Sequence, residues 1–106
     1  MDRTKTLSRD EAIGIVREFK QVITPRYRTE PKVSLYGSYA KGHPTPDSDI
    51  DVAVIVPQPE ITNHWEQSAD LWSDIRKVSV LIEPVLLEDQ EDSMLYREVM
   101  RTGMPI

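Results

Sequence analysis

Val33-Ser-Leu-Tyr-Gly-Ser-Tyr-Ala-Lys-Gly-His-Pro-Thr-Pro-Asp-Ser-Asp-Ile-Asp-Val-Ala-Val-Ile-Val56 consists of two strand-like runs separated by a break. The first run ends at Tyr36, Gly37-Ser38 interrupts it, and Asp49-Ile50-Asp51 opens a second, longer apolar run that reads as a buried strand. Two strand ends therefore meet at one edge. With a side-chain period of 2, Asp49 and Asp51 point to the same face with α-carbons about 6.5 to 7 Å apart, a spacing at which two carboxylates can share divalent cations. The Gly37-Ser38 turn offers a residue tolerant of positive φ, exposed backbone N–H groups, a hydroxyl, and the start of a short helix through Tyr39 to Lys41. A metal site and a phosphate cradle are expected side by side.

Upstream of this stretch, Ser8 and Glu11 have the Ser-x-x-Glu spacing of a capping box. The helix that follows carries Ala12, Ile15, Val16, Phe19, Val22 and Ile23 on one stripe, which is expected to cover the sheet. Pro25 and Pro31 bracket a basic connector with Arg26, Arg28 and Lys32, read as a solvated loop in preference to a phosphate site. Lys32 to Tyr36 is the first strand. Between Gly42 and Asp47 two prolines preclude a regular element and leave a loop over the site.

Downstream, Ile50 to Val56 is apolar on both faces past Asp51, as a central strand would be. Asn63 is a second N-cap, and Trp65, Ala69, Trp72 and Ile75 form an amphipathic stripe that places both tryptophans in the core. A third strand is expected over Ser79 to Leu87, with Pro84 marking an edge position or a bulge. A last helix runs from about Asp92 to Thr102 and stops at Gly103. His43 and His64 have no second histidine at ligand spacing and read as structural residues.

The chain has 106 residues, which is one domain's worth, with no repeat or linker. The absence of cysteine excludes disulfides, zinc-thiolate sites and thiol nucleophiles. No apolar run approaches the roughly 20 residues needed to span a bilayer, and a cytoplasmic protein is expected. A net charge of −5 argues against direct nucleic-acid binding.

Gly37-Ser38, ten residues, then Asp49-x-Asp51 resembles the signature of the minimal nucleotidyltransferase family, the smallest members of the DNA polymerase beta-like superfamily. The likeness extends through Leu35 to Gly42, Ser48 to Val52, and the segment Val80-Leu81-Ile82-Glu83-Pro84-Val85. It implies an α/β (α+β) fold, a small mixed sheet of three or more strands flanked by helices, over residues 1–106. It further implies a magnesium-dependent transfer of AMP from ATP to an acceptor hydroxyl. Asp49, Asp51 and Glu83 would hold two Mg2+ ions, Glu83 serving as ligand or proton acceptor, while Gly37, Ser38 and Lys41 bind the nucleotide phosphates. The family's third carboxylate is usually aspartate, so Glu83 is a departure whose arm is one methylene longer. The implied partner is a HEPN-domain toxin that the chain modifies as antitoxin, or another copy of itself. In the alternative the chain is a catalytically weak binding partner that masks the HEPN protein without transfer.

Overall fold

The computed structural model describes residues 6–106. Helix α1 spans Arg9–Ile23 and begins as its capping box dictates. The Ser8 hydroxyl accepts from the Glu11 backbone N–H at 3.0 Å, and the Ser8 N–H donates to Glu11 Oε1 at 2.8 Å. There follow β1 (Lys32–Tyr36), the single turn α2 (Ser38–Lys41), β2 (Ile50–Val56), α3 (His64–Asp74), β3 (Ile82–Glu88), α4 (Met94–Thr102) and the short β4 (Met104–Pro105).

The four strands form one mixed sheet in the order β3-β2-β1-β4. β1 pairs antiparallel with β2 and β4, whereas β2 and β3 are parallel, joined by the crossover through α3. The alternation along β2 sorts the core into two halves. Val52, Val54 and Val56 face α1 and α3, packing with Val16, Phe19, Leu71 and Ile75. Ala53 and Ile55 face the other way, onto Tyr96 and Val99 of α4. A strand buried on both faces has no room for an alternating polar pattern, which is why β2 reads as an unbroken apolar run.

Two expectations are corrected, and for Pro84 the edge position holds in place of the bulge. The tryptophans are not core: Trp65 is 85% exposed and Trp72 47%, because α3 turns Leu71, Asp74 and Ile75 inward instead. The third strand starts at Ile82, leaving Val80 and Leu81 exposed in the preceding turn. No bulge or shift occurs at Pro84, since the register runs without interruption from Ile50↔Ile82 to Val56↔Glu88. Pro84 is tolerated because β3 is an edge strand, where a missing N–H leaves no ladder partner unsatisfied.

The basic connector is structural. Arg26 forms a two-point contact with the buried Asp74, including Nη2 to Oδ1 at 2.9 Å, and Glu60 accepts from the Arg28 and Thr29 backbone N–H groups. Lys32 pairs with Asp89 at 3.2 Å. The Arg26 contact holds the Asp74 carboxyl below the usual range, with Lys77 adding to it.

A pair of substitutions on α3 tests this arrangement. Leu71→Ala should cost about 2–5 kcal/mol in urea unfolding, as for other buried leucines, whereas Trp65→Ala should change stability by less than about 0.5 kcal/mol. A large loss for Trp65→Ala would return that side chain to the core.

Candidate active site

The site forms where β1 ends and β2 and β3 begin. Register pairs Tyr36 of β1 with Asp51, and Asp51 with Glu83 of β3, so these three residues form one row on the face that α4 covers further along. Asp49 lies just outside β2, in the extended approach to it. The backbone there is fixed to β3 by the Ile50 N–H, which donates to the Leu81 carbonyl at 2.9 Å.

Gly37 is held against this row. Its φ of 73° and ψ of −150° lie in a region that is essentially confined to glycine. A Cβ there would collide with Asp51 Oδ2. The missing side chain thus makes room for the carboxylate and also allows the chain to swing from β1 into α2. Ser38 opens α2, and Gly42, at φ 84°, closes it. Arg9 anchors this turn from α1, donating through Nη2 to the Ala40 carbonyl at 3.0 Å and through Nε to the Tyr39 carbonyl at 3.3 Å.

The carboxylates perturb one another. A hydrogen bond between the Glu83 and Asp49 carboxyl groups, which requires a shared proton, raises Glu83 above its ordinary value; desolvation and the charges of Asp49 and Asp51 add to the shift. Partial burial raises Asp51, and Asp49 reinforces it. Burial beside the same acids pushes the Tyr36 phenol up to about 12, so it remains a hydrogen-bond donor across the physiological range.

None of Asp49, Asp51 and Glu83 takes part in any of the ion pairs among the described residues. Three hard oxygen donors that repel one another and lack a basic partner suit a divalent cation such as magnesium. They are not closed around a common point, however: among the described residues no group of three acidic or histidine side chains is already arranged to hold a metal ion. The proton shared by Asp49 and Glu83 must leave for both to serve as ligands.

Lys41, expected to act as a point charge near the phosphates, has a partner on α4. Its ammonium lies 3.4 Å from Glu98 of α4. His64 is structural, Nε2 lying 2.9 Å from the Leu86 carbonyl of β3. Tyr36, Glu98 and Arg9 were missed in the sequence. For Tyr36 a partial signal was present, since in an antiparallel pair the end of β1 lies near the start of β2. For Glu98 and Arg9, 57 and 31 residues from their partners, none was.

An antiparallel pair entering a Gly-Ser turn, with a parallel crossover that returns a third acid to the same edge, defines a nucleotidyltransferase domain. The family described as Polymerase beta, Nucleotidyltransferase matches residues 21–106, and the chain belongs to it, in keeping with its minimal-nucleotidyltransferase motif. Among similar proteins is MJ0141 of Methanocaldococcus jannaschii, which carries the provisional name protein adenylyltransferase. It is 28% identical over 98 residues, 91% of this chain and 99% of the relative. MJ1379 of the same organism bears the same provisional name and is 42% identical over 50 residues, 47% of each chain. A crystal structure from Sulfolobus solfataricus, provisionally named a nucleotidyltransferase, shares the fold with a TM-score of 0.62 at 19% identity, covering 95% of this chain and 87% of that one.

Two outcomes follow from the geometry. Gly37→Ala should destabilise the protein by about 1–3 kcal/mol, from backbone strain, and displace Asp51; the unfolding midpoint and a structure of the variant check both. Because the folded protein binds the Asp51 proton more tightly than the unfolded chain does, this group's contribution to stability is full below its unfolded value. It is lost as pH rises through the raised folded value. Asp51→Asn should therefore stabilise the metal-free protein at pH 7, and the gain should vanish below about pH 4. A gain that persists unchanged in acid would place its origin elsewhere.

Proposed function

We propose that this domain transfers AMP from ATP to a hydroxyl on a partner protein, with pyrophosphate as the other product. The observation that carries the reading is the meeting of Asp49, Asp51 and Glu83 at the mouth of the Gly37 turn, with none of them in an ion pair among the described residues. The provisional name shared by the two Methanocaldococcus jannaschii relatives supports a protein acceptor.

In this reading Asp49 and Asp51 hold two magnesium ions, and Glu83 completes one ion's shell or takes the acceptor's proton. Bound there, the ions would polarise the α-phosphate, lower the pKa of the attacking hydroxyl and neutralise charge on the departing pyrophosphate. Backbone N–H groups of the turn after Gly37 and the Ser38 hydroxyl take the β- and γ-phosphate oxygens. Lys41 joins them only by leaving Glu98, so Glu98 competes with the triphosphate. The acceptor oxygen attacks the α-phosphorus, the bond to the bridging oxygen of the β-phosphate breaks, and the acceptor's proton passes to a Glu83 oxygen.

The acting unit is the single domain of residues 1–106, working in the cytoplasm; no helix among the described residues is long and apolar enough to cross a membrane. On the motif resemblance, the acceptor is a HEPN-domain toxin and the chain its antitoxin. A second reading, masking of the partner without transfer, is favoured by Glu83, a longer carboxylate where the family resemblance implies aspartate.

Magnesium and ATP at a hundred times the dissociation constant should stabilise the protein by about 2.7 kcal/mol in thermal unfolding. Asp49→Asn with Asp51→Asn should abolish that shift, and Glu83→Gln should preserve it while slowing transfer of label from α-labelled ATP by about 10² or more. Transfer undiminished in the double variant would remove the aspartates from the chemistry. A ligand-induced shift with no labelled protein would favour masking.

A further inference from the structure

Tyr36 ends β1 with a hydroxyl for which the fold has no use. Register pairs it with Asp51, and Asp51 with Glu83, so its side chain leaves the sheet on the same face as the acids. Its ring is partly buried against the cluster that includes Tyr96 and Val99 of α4. Tyr96, in that same cluster, donates its hydroxyl to Asp89 Oδ1 at 3.0 Å. The Tyr36 hydroxyl has no such partner among the described residues. Among those residues the sealed side-chain oxygen without a partner is that of Ser34, so the Tyr36 oxygen remains open to solvent and a substrate oxygen can reach it.

The acceptors around this donor leave it free. Asp51, Glu83 and Glu98 lie within electrostatic reach of the phenol, yet none of them accepts its hydrogen bond. Asp51 is turned toward Gly37, where its Oδ2 fills the place of the absent Cβ. Glu83 shares a proton with Asp49, and Glu98 holds the Lys41 ammonium at 3.4 Å. Position along the row then selects what the hydroxyl can meet. In the transfer reading Glu83 stands at the acceptor end and Asp51 beside the α-phosphate. Tyr36 stands at the other end and runs directly into Gly37 and Ser38, the turn assigned to the β- and γ-phosphates. With a ring between Cβ and oxygen, its hydroxyl reaches further from the sheet than the Asp51 carboxylate on the same face.

We propose that Tyr36 is a substrate-binding residue whose hydroxyl donates a hydrogen bond to a β-phosphate oxygen of the nucleotide. This rests on the reading that ATP occupies the Gly37 turn and adds to it the group that tells a nucleoside triphosphate or diphosphate from a monophosphate. A neutral donor suits the place. A phenol keeps its proton at neutral pH, so it can approach both the acids and the phosphate without the ion pair that a lysine or arginine would form with Asp51. Its hydrogen bond to an anionic oxygen is charge-assisted and is formed only when the nucleotide is bound.

The test is calorimetric titration of wild type and Tyr36→Phe with ATP, ADP and AMP, each in the presence of magnesium. Phenylalanine removes one oxygen and keeps the ring in its packing, so the urea midpoint of the variant should match that of wild type. Its affinity for ATP and for ADP should fall by about ten-fold or more, as for a lost hydrogen bond to a charged group, while AMP, which has no β-phosphate, binds both proteins equally. Equal affinities of the two proteins for all three nucleotides overturn the contact and leave the transfer reading intact. A lower urea midpoint with unchanged affinities assigns the hydroxyl to the fold and likewise overturns it. An equal loss for ATP, ADP and AMP puts the hydroxyl on the α-phosphate or the nucleoside and overturns the β-phosphate assignment. A wild type that binds no magnesium ATP overturns the nucleotide reading of the site, and the contact with it.

Discussion

The carboxylate of Asp51 occupies the space in which residue 37 would carry a side chain, and much of the candidate site depends on that exclusion. Glycine at this position lets the backbone leave β1 in a conformation denied to other residues. It turns the chain into α2 within one residue and keeps that helix's first turn against the acids. Pairing of Tyr36 with Asp51 and of Asp51 with Glu83 then brings residues from three strands into one row. A side chain at residue 37 would disturb both the acid row and the turn into α2, because one atom position is shared between them.

Charge is distributed unevenly. Away from the site, carboxylates are matched to cations: Asp74 to Arg26 and Lys77, Asp89 to Lys32, Asp92 to Arg97. These contacts fasten loops to helices, and the matched Asp74 and Asp89 groups sit below their ordinary values. At the strand ends the pattern reverses. Asp51 and Glu83 are raised, and their neighbours are acids and a phenol. Left without a cation of its own, the row is a standing electrostatic cost to the fold, of a kind that a bound divalent ion relieves. Glu98 extends the same economy to Lys41, holding a cation near the turn without committing it to the acid row.

The sequence was most legible where the physics is local. Capping at Ser8 and Asn63 depends on side chains three residues from the N–H groups they satisfy, and both helices start as that spacing dictates. β1 occupies Lys32–Tyr36 as its residues foretold, and the long apolar run of β2 revealed a strand covered on both faces. The family, too, was contained in the chain from Gly37 to Asp51, because a glycine-dependent turn and closely spaced acids leave a signature in adjacent letters.

What needed the tertiary structure was any feature set by a neighbour distant in sequence. The periodicity of Trp65, Ala69, Trp72 and Ile75 was real, but a helical stripe only says that apolar residues share a side; which side meets the sheet was decided by Arg26 drawing Asp70 and Asp74 toward α1 and by Leu71 filling the core. The regular strand through Pro84 depended on β3 being at the edge, a property of strand order. The Tyr36–Asp51–Glu83 row, the Asp49–Glu83 hydrogen bond and the Lys41–Glu98 pair exist only once the sheet and helices have assembled. The sequence alone determined the main helices, the first two strands and the glycine and acids at their ends, because those follow from local hydrogen bonding and side-chain period. The fold determined which groups confront one another, because that depends on packing among residues tens of positions apart.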